Sequence, residues 1–256
     1  MRILTGLILL AVFLYVAACL GLYLFQRSLI YFPQPSAFDV PATTLKLSVP
    51  GAELKVSVRP HDGAKALIYF GGNAEDVSAN LASFAAAFPD RAIYLMHYRG
   101  FGGSTGNPSE EALRADALTL FDKVRAEHPQ IAVVGRSLGS GVAIHLASER
   151  PVTRLVLVTP YDSIQEIAAQ QFRYFPVRWL LKEKFESSLY APAIRVPTLL
   201  LAAEFDEVIP RASTERLNAS FAKGVASLVF IPGVGHNTIS GTAQYLQLMT
   251  ASLEGP

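Results

Sequence analysis

Residues 131–139 read Ile-Ala-Val-Val-Gly-Arg-Ser-Leu-Gly, and this stretch decides the fold. An apolar run of strand length is followed at once by Gly-x-Ser-x-Gly, and a segment of helical period begins at Leu138. A strand-to-helix turn of this kind holds a serine with its hydroxyl exposed, and the glycines remove Cβ atoms that would collide with neighbouring backbone. The stretch therefore predicts that Ser137 is a nucleophile. The alternative is an ordinary Gly-rich turn in an α/β fold.

On both sides of this turn, short β-prone runs alternate with longer segments of helical period. This alternation is typical of a mostly parallel sheet with helices on both faces. Eight strands are predicted, at residues 44–49, 54–59, 66–70, 92–96, 131–134, 155–158, 198–202 and 227–231. Helices are predicted at residues 74–88, 109–127, 138–149, 211–221 and 241–253. No second core is evident, so we expect a single α/β domain.

A nucleophilic serine needs a general base, because its alkoxide is inaccessible at neutral pH without one. In this type of fold the acid and the histidine follow the nucleophile along the chain. The candidates are then His145 and His236. His145 falls inside the helix after the turn, where we expect it to pack between helices. His236 follows the last strand on a loop that can carry its imidazole over the sheet edge, so His236 is the predicted base.

Three candidate acids, Glu204, Asp206 and Glu207, follow the predicted strand at 198–202. We favour Asp206, which stands in the turn before Val-Ile-Pro, while Glu204 and Glu207 can be solvated charges at the rim. Capping of the following helix is the alternative role for Asp206.

Composition excludes several other classes of protein. The 22 basic residues are balanced by 21 acidic residues among 256, so no nucleic-acid partner is expected. The single cysteine, Cys19, excludes a disulfide framework and a cysteine-based zinc site. The five histidines show no metal-ligand spacing. We therefore expect neither a metal nor a cofactor.

The N-terminus predicts a membrane anchor. Residues 3–25 carry no charge, and a helix of about 20 apolar residues crosses a hydrocarbon core roughly 30 Å thick. Aromatic side chains follow at the position of the interface, and Arg2 slightly favours an N-terminus on the inside. We expect a single-pass membrane protein with its anchor at 1–27. Its catalytic domain, at 28–256, is expected on the non-cytoplasmic side, which is the periplasm in a bacterium.

Two other interpretations of the N-terminal segment remain. Val16-Ala17-Ala18-Cys19 matches the pattern recognised in bacterial lipoprotein processing, which would place a lipid on Cys19. The segment could also be a buried core helix. A cleaved signal peptide fits less well, because its apolar region is usually only about 7 to 15 residues long.

The order of nucleophile, acid and histidine resembles that of the α/β-hydrolase superfamily, and more narrowly its membrane-anchored bud-emergence type subfamily. The motifs that carry the resemblance are residues 25–33 (FQRSLIYFP), 69–76 (YFGGNAED), 98–104 (YRGFGGS), Gly106, Pro108, 135–139 (GRSLG), 160–163 (PYDS) and the loops of Asp206 and His236.

The resemblance implies an α/β-hydrolase fold and a Ser-His-Asp hydrolase that forms a covalent acyl-enzyme. It also implies that the backbone N–H groups of Asn73 and Leu138 bind the oxyanion of the tetrahedral intermediate. The expected partners are a small ester, thioester or other acylated substrate, and a lipid bilayer through the N-terminal helix.

The chain departs from the usual pattern of this family at two positions. Gly71 stands where relatives usually carry histidine, and His97 stands where they usually carry aspartate. The pair Gly71-Gly72 predicts a more flexible oxyanion loop, while His97 either lines the pocket or is a packed histidine. We expect Arg99 to bond neighbouring loop carbonyls rather than to clamp an anion.

A long insertion lies between Pro160 and Pro197, at about 160–197. Its stretch 171–182, QFRYFPVRWLLK, interleaves aromatic and basic residues as an interfacial helix against lipid does. The competing interpretation, which we favour, is a lid whose apolar face packs on the core.

Together these patterns predict an esterase or thioesterase that uses Ser137, His236 and Asp206. Two alternatives stay open: a peptidase that cleaves small peptides with the same triad, and a catalytically idle hydrolase fold that serves as an interaction protein at the membrane.

Overall fold

The structure, a computed structural model, describes residues 1–38 and 43–254. The last two residues of the predicted catalytic domain, Gly255 and Pro256, lie outside the described part. The strands are β1 (Thr44–Val49), β2 (Ala52–Arg59), β3 (Lys65–Phe70), β4 (Ala92–Met96), β5 (Gln130–Arg136), β6 (Arg154–Val158), β7 (Thr198–Ala203) and β8 (Ala226–Ile231). The helices are α1 (Arg2–Ile30), α2 (Leu81–Ala87), α3 (Glu110–Arg125), α4 (Leu138–Glu149), α5 (Ile164–Gln171), α6 (Val177–Leu180), α7 (Ser187–Tyr190), α8 (Arg211–Ser220) and α9 (Ala243–Glu254).

The strands form one eight-stranded sheet in the order β1-β2-β4-β3-β5-β6-β7-β8. Strand β2 pairs antiparallel with β1 and β4, and every other pairing is parallel. The predicted mostly parallel sheet is therefore confirmed. Because the parallel strands end at the same edge, the loops after β3, β5, β7 and β8 come together there.

The core lies on both faces of the sheet, because successive strand residues point to opposite sides. In β3, Ile68 and Phe70 belong to the core cluster covered by α3, α4 and α8. Leu67 and Tyr69 belong to the opposite cluster, which α2 and α9 cover. These central residues are almost fully buried on both sides, which explains why the central strands read as unbroken apolar runs in the sequence.

The predicted helix at 74–88 is wrong at its start. A 3₁₀ turn at Val77–Asn80 precedes α2. Asp76 caps this turn, since its Oδ1 accepts a hydrogen bond from the N–H of Ser78 at 3.0 Å. Residues 71–76 instead form a loop at the sheet edge, and we call this segment the oxyanion loop.

The insertion between β6 and β7 carries α5, α6 and α7. The stretch 171–182 is not one interfacial helix: α5 ends at Gln171, and the single turn α6 begins only at Val177. Pro176 immediately precedes α6, in keeping with the poor fit of proline inside a helix. We call residues 160–197 the lid and residues 172–179 the lid tip.

Helix α1 is continuous over 29 residues and is long and apolar enough to cross a membrane. Its most apolar window is not buried against the rest of the described chain, so it is not a core helix. Only the C-terminal end carries a buried residue, Gln26. The helix passes the predicted end of the anchor and continues to Ile30.

Candidate active site

Ser137 stands on the turn between β5 and α4 with φ 50° and ψ −117°, a conformation that costs a non-glycine residue free energy. Its backbone N–H donates to the carbonyl of Val158 at 2.8 Å, and this bond fixes the turn to β6. Strained backbone of this kind persists only where the surrounding structure holds it, and it is concentrated at functional sites.

The two glycines of the turn are required by close backbone contacts. A Cβ on Gly135 would lie 2.4 Å from the carbonyl oxygen of Gly139. A Cβ on Gly139 would lie 2.1 Å from the carbonyl oxygen of Phe70. Real Cβ atoms do not approach backbone this closely, so the spacing of the Gly-x-Ser-x-Gly motif has a direct steric cause.

The structure brings together the three side chains that the sequence selected as candidates. His236 Nε2 lies 3.0 Å from Ser137 Oγ. Its Nδ1 lies 3.0 Å from each carboxylate oxygen of Asp206. Asp206 is held in turn by the N–H groups of Val208 and Ile209, which donate to its Oδ1 at 3.0 and 2.7 Å. Ser137 and His236 are buried, so little water competes for these contacts.

The neighbouring acids, Glu204 and Glu207, lie at the exposed rim as expected, and they also have a structural role. Both side chains are exposed, but each accepts a backbone hydrogen bond from the loop that carries His236. Glu207 accepts from the N–H of His236 at 2.9 Å, and Glu204 accepts from the N–H of Gly233 at 2.8 Å. The bond from His236 lowers the pKa of Glu207. Through these bonds the two acids hold the backbone of the loop that carries His236.

The oxyanion loop passes directly beside the serine. A Cβ on Gly72 would lie 3.7 Å from Ser137 Cβ, and Asn73, Ser137 and Leu138 line the same cavity. Two contacts tie the glycine pair down: the N–H of Gly72 donates to Glu75 Oε2 at 2.7 Å, and the hydroxyl of Tyr98 donates to the carbonyl of Gly71 at 2.8 Å. These bonds argue against the expected flexibility of the loop.

Glu75, to which sequence reasoning gave no role, connects the oxyanion loop to the serine turn. Its Oε1 accepts from Tyr69 and Asn80, each at 2.7 Å, and its Oε2 accepts from Arg136 at 3.0 Å. Burial and the Glu75 carboxylate hold the pKa of Tyr69 well above its usual value. Burial alone would lower the pKa of Arg136, but Glu75 raises it. Arg136 also donates to the carbonyl of His236 at 3.4 Å.

The remaining candidates lie away from the reacting groups. His145 stacks edge-on against Tyr190 with a ring separation of 5.0 Å, as expected of a packed helix residue. His97 is buried, and its Nε2 lies 2.9 Å from the hydroxyl of Ser57. Arg99 binds the carboxylate of Asp116 through two bonds of 2.8 and 2.7 Å, where we had expected loop carbonyls. Within the described ranges, no three His, Cys, Asp or Glu side chains are grouped to hold a metal ion.

A cavity of about 280 Å³ opens beside Ser137. Its walls come from the lid, from the end of α1 and from the loops at the sheet edge. Aliphatic and aromatic side chains dominate the lining, and its polar members are Gln26, Asn73, Ser137, Tyr161 and Gln171. Such a lining suits an uncharged, largely apolar ligand.

The chain is similar in sequence to several known proteins. The family model described as "Serine aminopeptidase, S33" matches residues 64–192. An uncharacterized protein of Mycobacterium tuberculosis is 36% identical over 233 residues, which are 83% of this chain and 80% of that protein. Protein bem46 of Schizosaccharomyces pombe is 27% identical over 221 residues, 74% of this chain and 72% of that protein. Lysophosphatidylserine lipase ABHD12 of Xenopus tropicalis is 37% identical over 138 residues, 46% of this chain but only 36% of that protein.

Among solved structures, an esterase of Pyrococcus furiosus superimposes with a TM-score of 0.68 at 16% identity, covering 88% of this chain and 97% of that chain. Fold and sequence matches together define an α/β-hydrolase, as the sequence predicted. Within that class the chain belongs to the bem46/ABHD type, and it is therefore a hydrolase.

Proposed function

We propose that this protein is a serine hydrolase that cleaves carboxylic ester or thioester bonds through an acyl-enzyme. The observation that carries the proposal is the position of His236, whose two ring nitrogens lie 3.0 Å from Ser137 Oγ and 3.0 Å from Asp206. A nucleophile, a base within hydrogen-bond reach and a carboxylate that orients the base are the parts that this chemistry requires.

In the first half of the reaction, Ser137 Oγ attacks the acyl carbon while His236 Nε2 accepts the hydroxyl proton. Asp206 accepts a hydrogen bond from Nδ1–H, which fixes the tautomer and stabilises the imidazolium. His236 then protonates the leaving alcohol or thiol, and the acyl group remains on Ser137. In the second half, His236 takes a proton from water, the resulting hydroxide attacks the ester, and Ser137 recovers its proton as the carboxylic acid leaves.

Two backbone N–H groups, those of Leu138 and Asn73, complete the proposed site by binding the oxyanion. Leu138 is the first residue of α4, so its N–H is among the four that have no acceptor within the helix. Asn73 lines the same cavity from the oxyanion loop. The loss of one such donor typically slows acyl transfer by about 10² to 10³-fold.

The cavity favours esters over the aminopeptidase substrates that the family description suggests. An aminopeptidase must bind the ammonium group of its substrate, which a carboxylate does best. The described residues that line the cavity include no aspartate or glutamate. An ester or thioester has no charge at the acyl group and can enter an apolar pocket without a counter-ion. The relative named as a lysophosphatidylserine lipase agrees with an acyl ester substrate.

We also propose that α1 holds the protein in a membrane. The single-pass anchor is then at 1–27 and the catalytic domain at 28–256. The helix carries no charged residue between Arg2 and Arg27, which matches a hydrocarbon core flanked by two basic residues. The weak charge bias at the N-terminus supports our proposal that the catalytic domain lies on the non-cytoplasmic side.

Hydrolysis of p-nitrophenyl butyrate by the purified full-length protein in detergent tests the proposed chemistry. We expect Ser137→Ala to lower kcat by at least about 10³-fold. Ser148→Ala, on the same helix α4 but away from the cavity, is the matched control and should keep wild-type activity. Retained activity in Ser137→Ala would contradict the proposal, and faster turnover of alanine p-nitroanilide than of the ester would favour the peptidase.

A further inference from the structure

The membrane helix forms part of the wall of the substrate cavity. Leu22, Gln26 and Leu29 of α1 line it together with Ser137. The lid supplies the opposite wall, with Ile167, Phe172 and Leu180 among its residues. The cavity therefore lies between the proposed anchor and the lid, and not inside the α/β domain alone.

The end of α1 is also bonded to the oxyanion loop. The side-chain amide of Asn73 donates to the carbonyl of Ile30, the last residue of the helix, at 2.8 Å. The N–H of Phe32 donates to the carbonyl of Asn73 at 2.9 Å. The helix is thus fixed relative to the residue whose N–H we assign to the oxyanion.

The lid is attached to the same helix by Gln26, which is only 6% exposed. Its amide nitrogen donates to the carbonyl of Leu180 at 3.2 Å, and its oxygen accepts from the N–H of Lys182 at 2.6 Å. A glutamine in the apolar helix is explained by these two bonds, because both satisfy lid backbone groups at the cavity wall.

Closer to the N-terminus of α1, the lid tip contacts the apolar part of the helix. The hydroxyl of Tyr15 donates to the carbonyl of Tyr174 at 2.9 Å, and its ring stacks on Phe175 at 5.8 Å. At about 1.5 Å per residue, Tyr15 lies about 16 Å from Gln26 along the helix. The lid tip therefore lies beside residues that we place in the lipid.

The side chains of the lid tip suit a bilayer. Tyr174 is 73% exposed and Trp179 is 89% exposed. Arg173 and Arg178 stand next to them in the sequence, and long basic side chains can reach phosphate groups while aromatic rings enter the acyl region.

We propose that α1 and the lid form an acyl channel that takes its substrate from the membrane, and that the substrate is a long-chain acyl ester resident in the bilayer. The acyl chain enters between the helix and the lid, so that the ester carbonyl reaches Ser137 while the polar part of the lipid stays among the headgroups. This inference rests on the proposed hydrolase function and names its substrate class.

The single tryptophan of the chain, Trp179, reports directly on the lid tip. The full-length protein is reconstituted in phosphatidylcholine vesicles with or without a lipid brominated on its acyl chains. We expect the brominated lipid to lower Trp179 emission at least about twofold, as for a ring in the acyl region. The control is the double variant Trp179→Phe/Ser83→Trp, which moves the fluorophore to α2. The brominated lipid should not change the emission of this variant. Quenching of Trp179 by aqueous iodide but not by brominated lipid would overturn the inference.

A pair of helix variants tests the channel itself. Leu22→Trp fills the cavity from the α1 side, whereas Leu24→Trp places the same ring on the exposed side of the helix. We expect Leu22→Trp to lower the ratio of kcat/KM for p-nitrophenyl palmitate over acetate at least about tenfold. Leu24→Trp should leave this ratio unchanged. An unchanged ratio in Leu22→Trp would overturn the channel but not the proposed function, whereas a wild-type protein that hydrolyses neither ester would overturn the function.

Discussion

At the residue scale, Glu75 determines how the parts of the candidate site are arranged. It bonds Gly72 of the oxyanion loop and Arg136 of the serine turn, and Arg136 in turn reaches the carbonyl of His236. One carboxylate thus links three loops that come from different strands. Because the distances in such a site decide the rate, the position of Glu75 matters although it does not contact the reacting atoms.

We predict that Glu75→Gln lowers kcat for ester hydrolysis about tenfold while KM changes less than about twofold, because an oxyanion donor shifts and ground-state binding does not. Steady-state kinetics with p-nitrophenyl butyrate measure both constants. Asp90→Asn removes a carboxylate that pairs with Lys65 and Arg91 outside the site, and it should leave kcat unchanged. A rise in KM at constant kcat for Glu75→Gln would contradict a positioning role.

Two of the acids after β7, Asp206 and Glu207, are predicted to differ sharply in their effects on kcat. Asp206→Asn should lower kcat by about 10³ to 10⁴-fold, because an amide stabilises the wrong tautomer of His236. Glu207→Gln should lower kcat only a few-fold, since Glu207 accepts a hydrogen bond from the backbone N–H of His236 and not from its ring. The ratio of the two kcat values is the measurement. Comparable losses in the two variants would show that the acid has been assigned to the wrong residue.

The residues of the candidate site differ in how far the sequence could indicate them. Ser137, Asp206 and His236 follow strand ends, and chain order with loop position was enough to select them as candidates. Glu75 and Arg136 pair across a large separation in sequence, and nothing in one sequence states which charges meet. The position of Arg136 directly before Ser137 was the only sequence signal for this pair. Its partner, Glu75, comes close only because β3 and β5 lie side by side in the sheet.

At the scale of elements, the lid is joined to the end of α1 through Glu183. This carboxylate is almost fully buried and accepts from Tyr31 at 2.7 Å, from Arg27 at 2.8 Å and from the N–H of Glu110. Burial and the Glu183 carboxylate raise the pKa of Tyr31, so this hydroxyl remains a donor. The lid, α1 and the start of α3 therefore meet at one residue.

We predict that Glu183→Ala destabilises the folded protein by about 2 to 4 kcal/mol, because the hydroxyl of Tyr31 and the N–H of Glu110 lose a buried acceptor. Urea unfolding in detergent, followed by circular dichroism, measures the change. Asp122→Ala removes an exposed pair with Arg150 and should cost less than about 1 kcal/mol. Equal effects of the two substitutions would show that Glu183 does not join these elements.

The strands were easier to predict than the segments around the site. Buried parallel strands must be apolar on both faces, so each left an unbroken run in the sequence. The helix predicted at 74–88 starts too early, because residues 74–76 belong to the oxyanion loop and helical periodicity does not reveal that use. The lid stretch 171–182 has the composition of an interfacial helix, but it contains only the last residue of α5 and the single turn α6, which begins after Pro176.

At the scale of the whole molecule, α1 and the α/β-hydrolase domain are joined by direct contacts. The proposed boundary at 27 falls inside α1, whose last turn reaches the cavity and the oxyanion loop. A membrane helix that only tethered the enzyme would need none of these contacts. In our proposal, α1 therefore both holds the protein in the membrane and forms one wall of the substrate cavity.

The effect of Cys19→Ser on membrane attachment distinguishes an anchor helix from the lipoprotein alternative. We predict that the protein stays in the membrane pellet after a carbonate wash, and that Cys19→Ser stays there as well, because the apolar helix is sufficient to hold it. Immunoblots of pellet and supernatant measure this partition. Release of Cys19→Ser into the supernatant would show instead that a lipid on Cys19 holds the protein.

Labelling by a fluorophosphonate, followed by tandem mass spectrometry of the modified peptide, tests the central claim most directly. This reagent reacts with a serine only where a base activates it, so it reports the nucleophile without any assumption about the substrate. We predict a single adduct on Ser137 in the wild-type protein, no adduct on any residue of Ser137→Ala, and labelling slowed by at least about 10³-fold in His236→Ala. A folded wild-type protein that is not labelled, or an adduct on another serine, would contradict the assignment of Ser137 as the nucleophile.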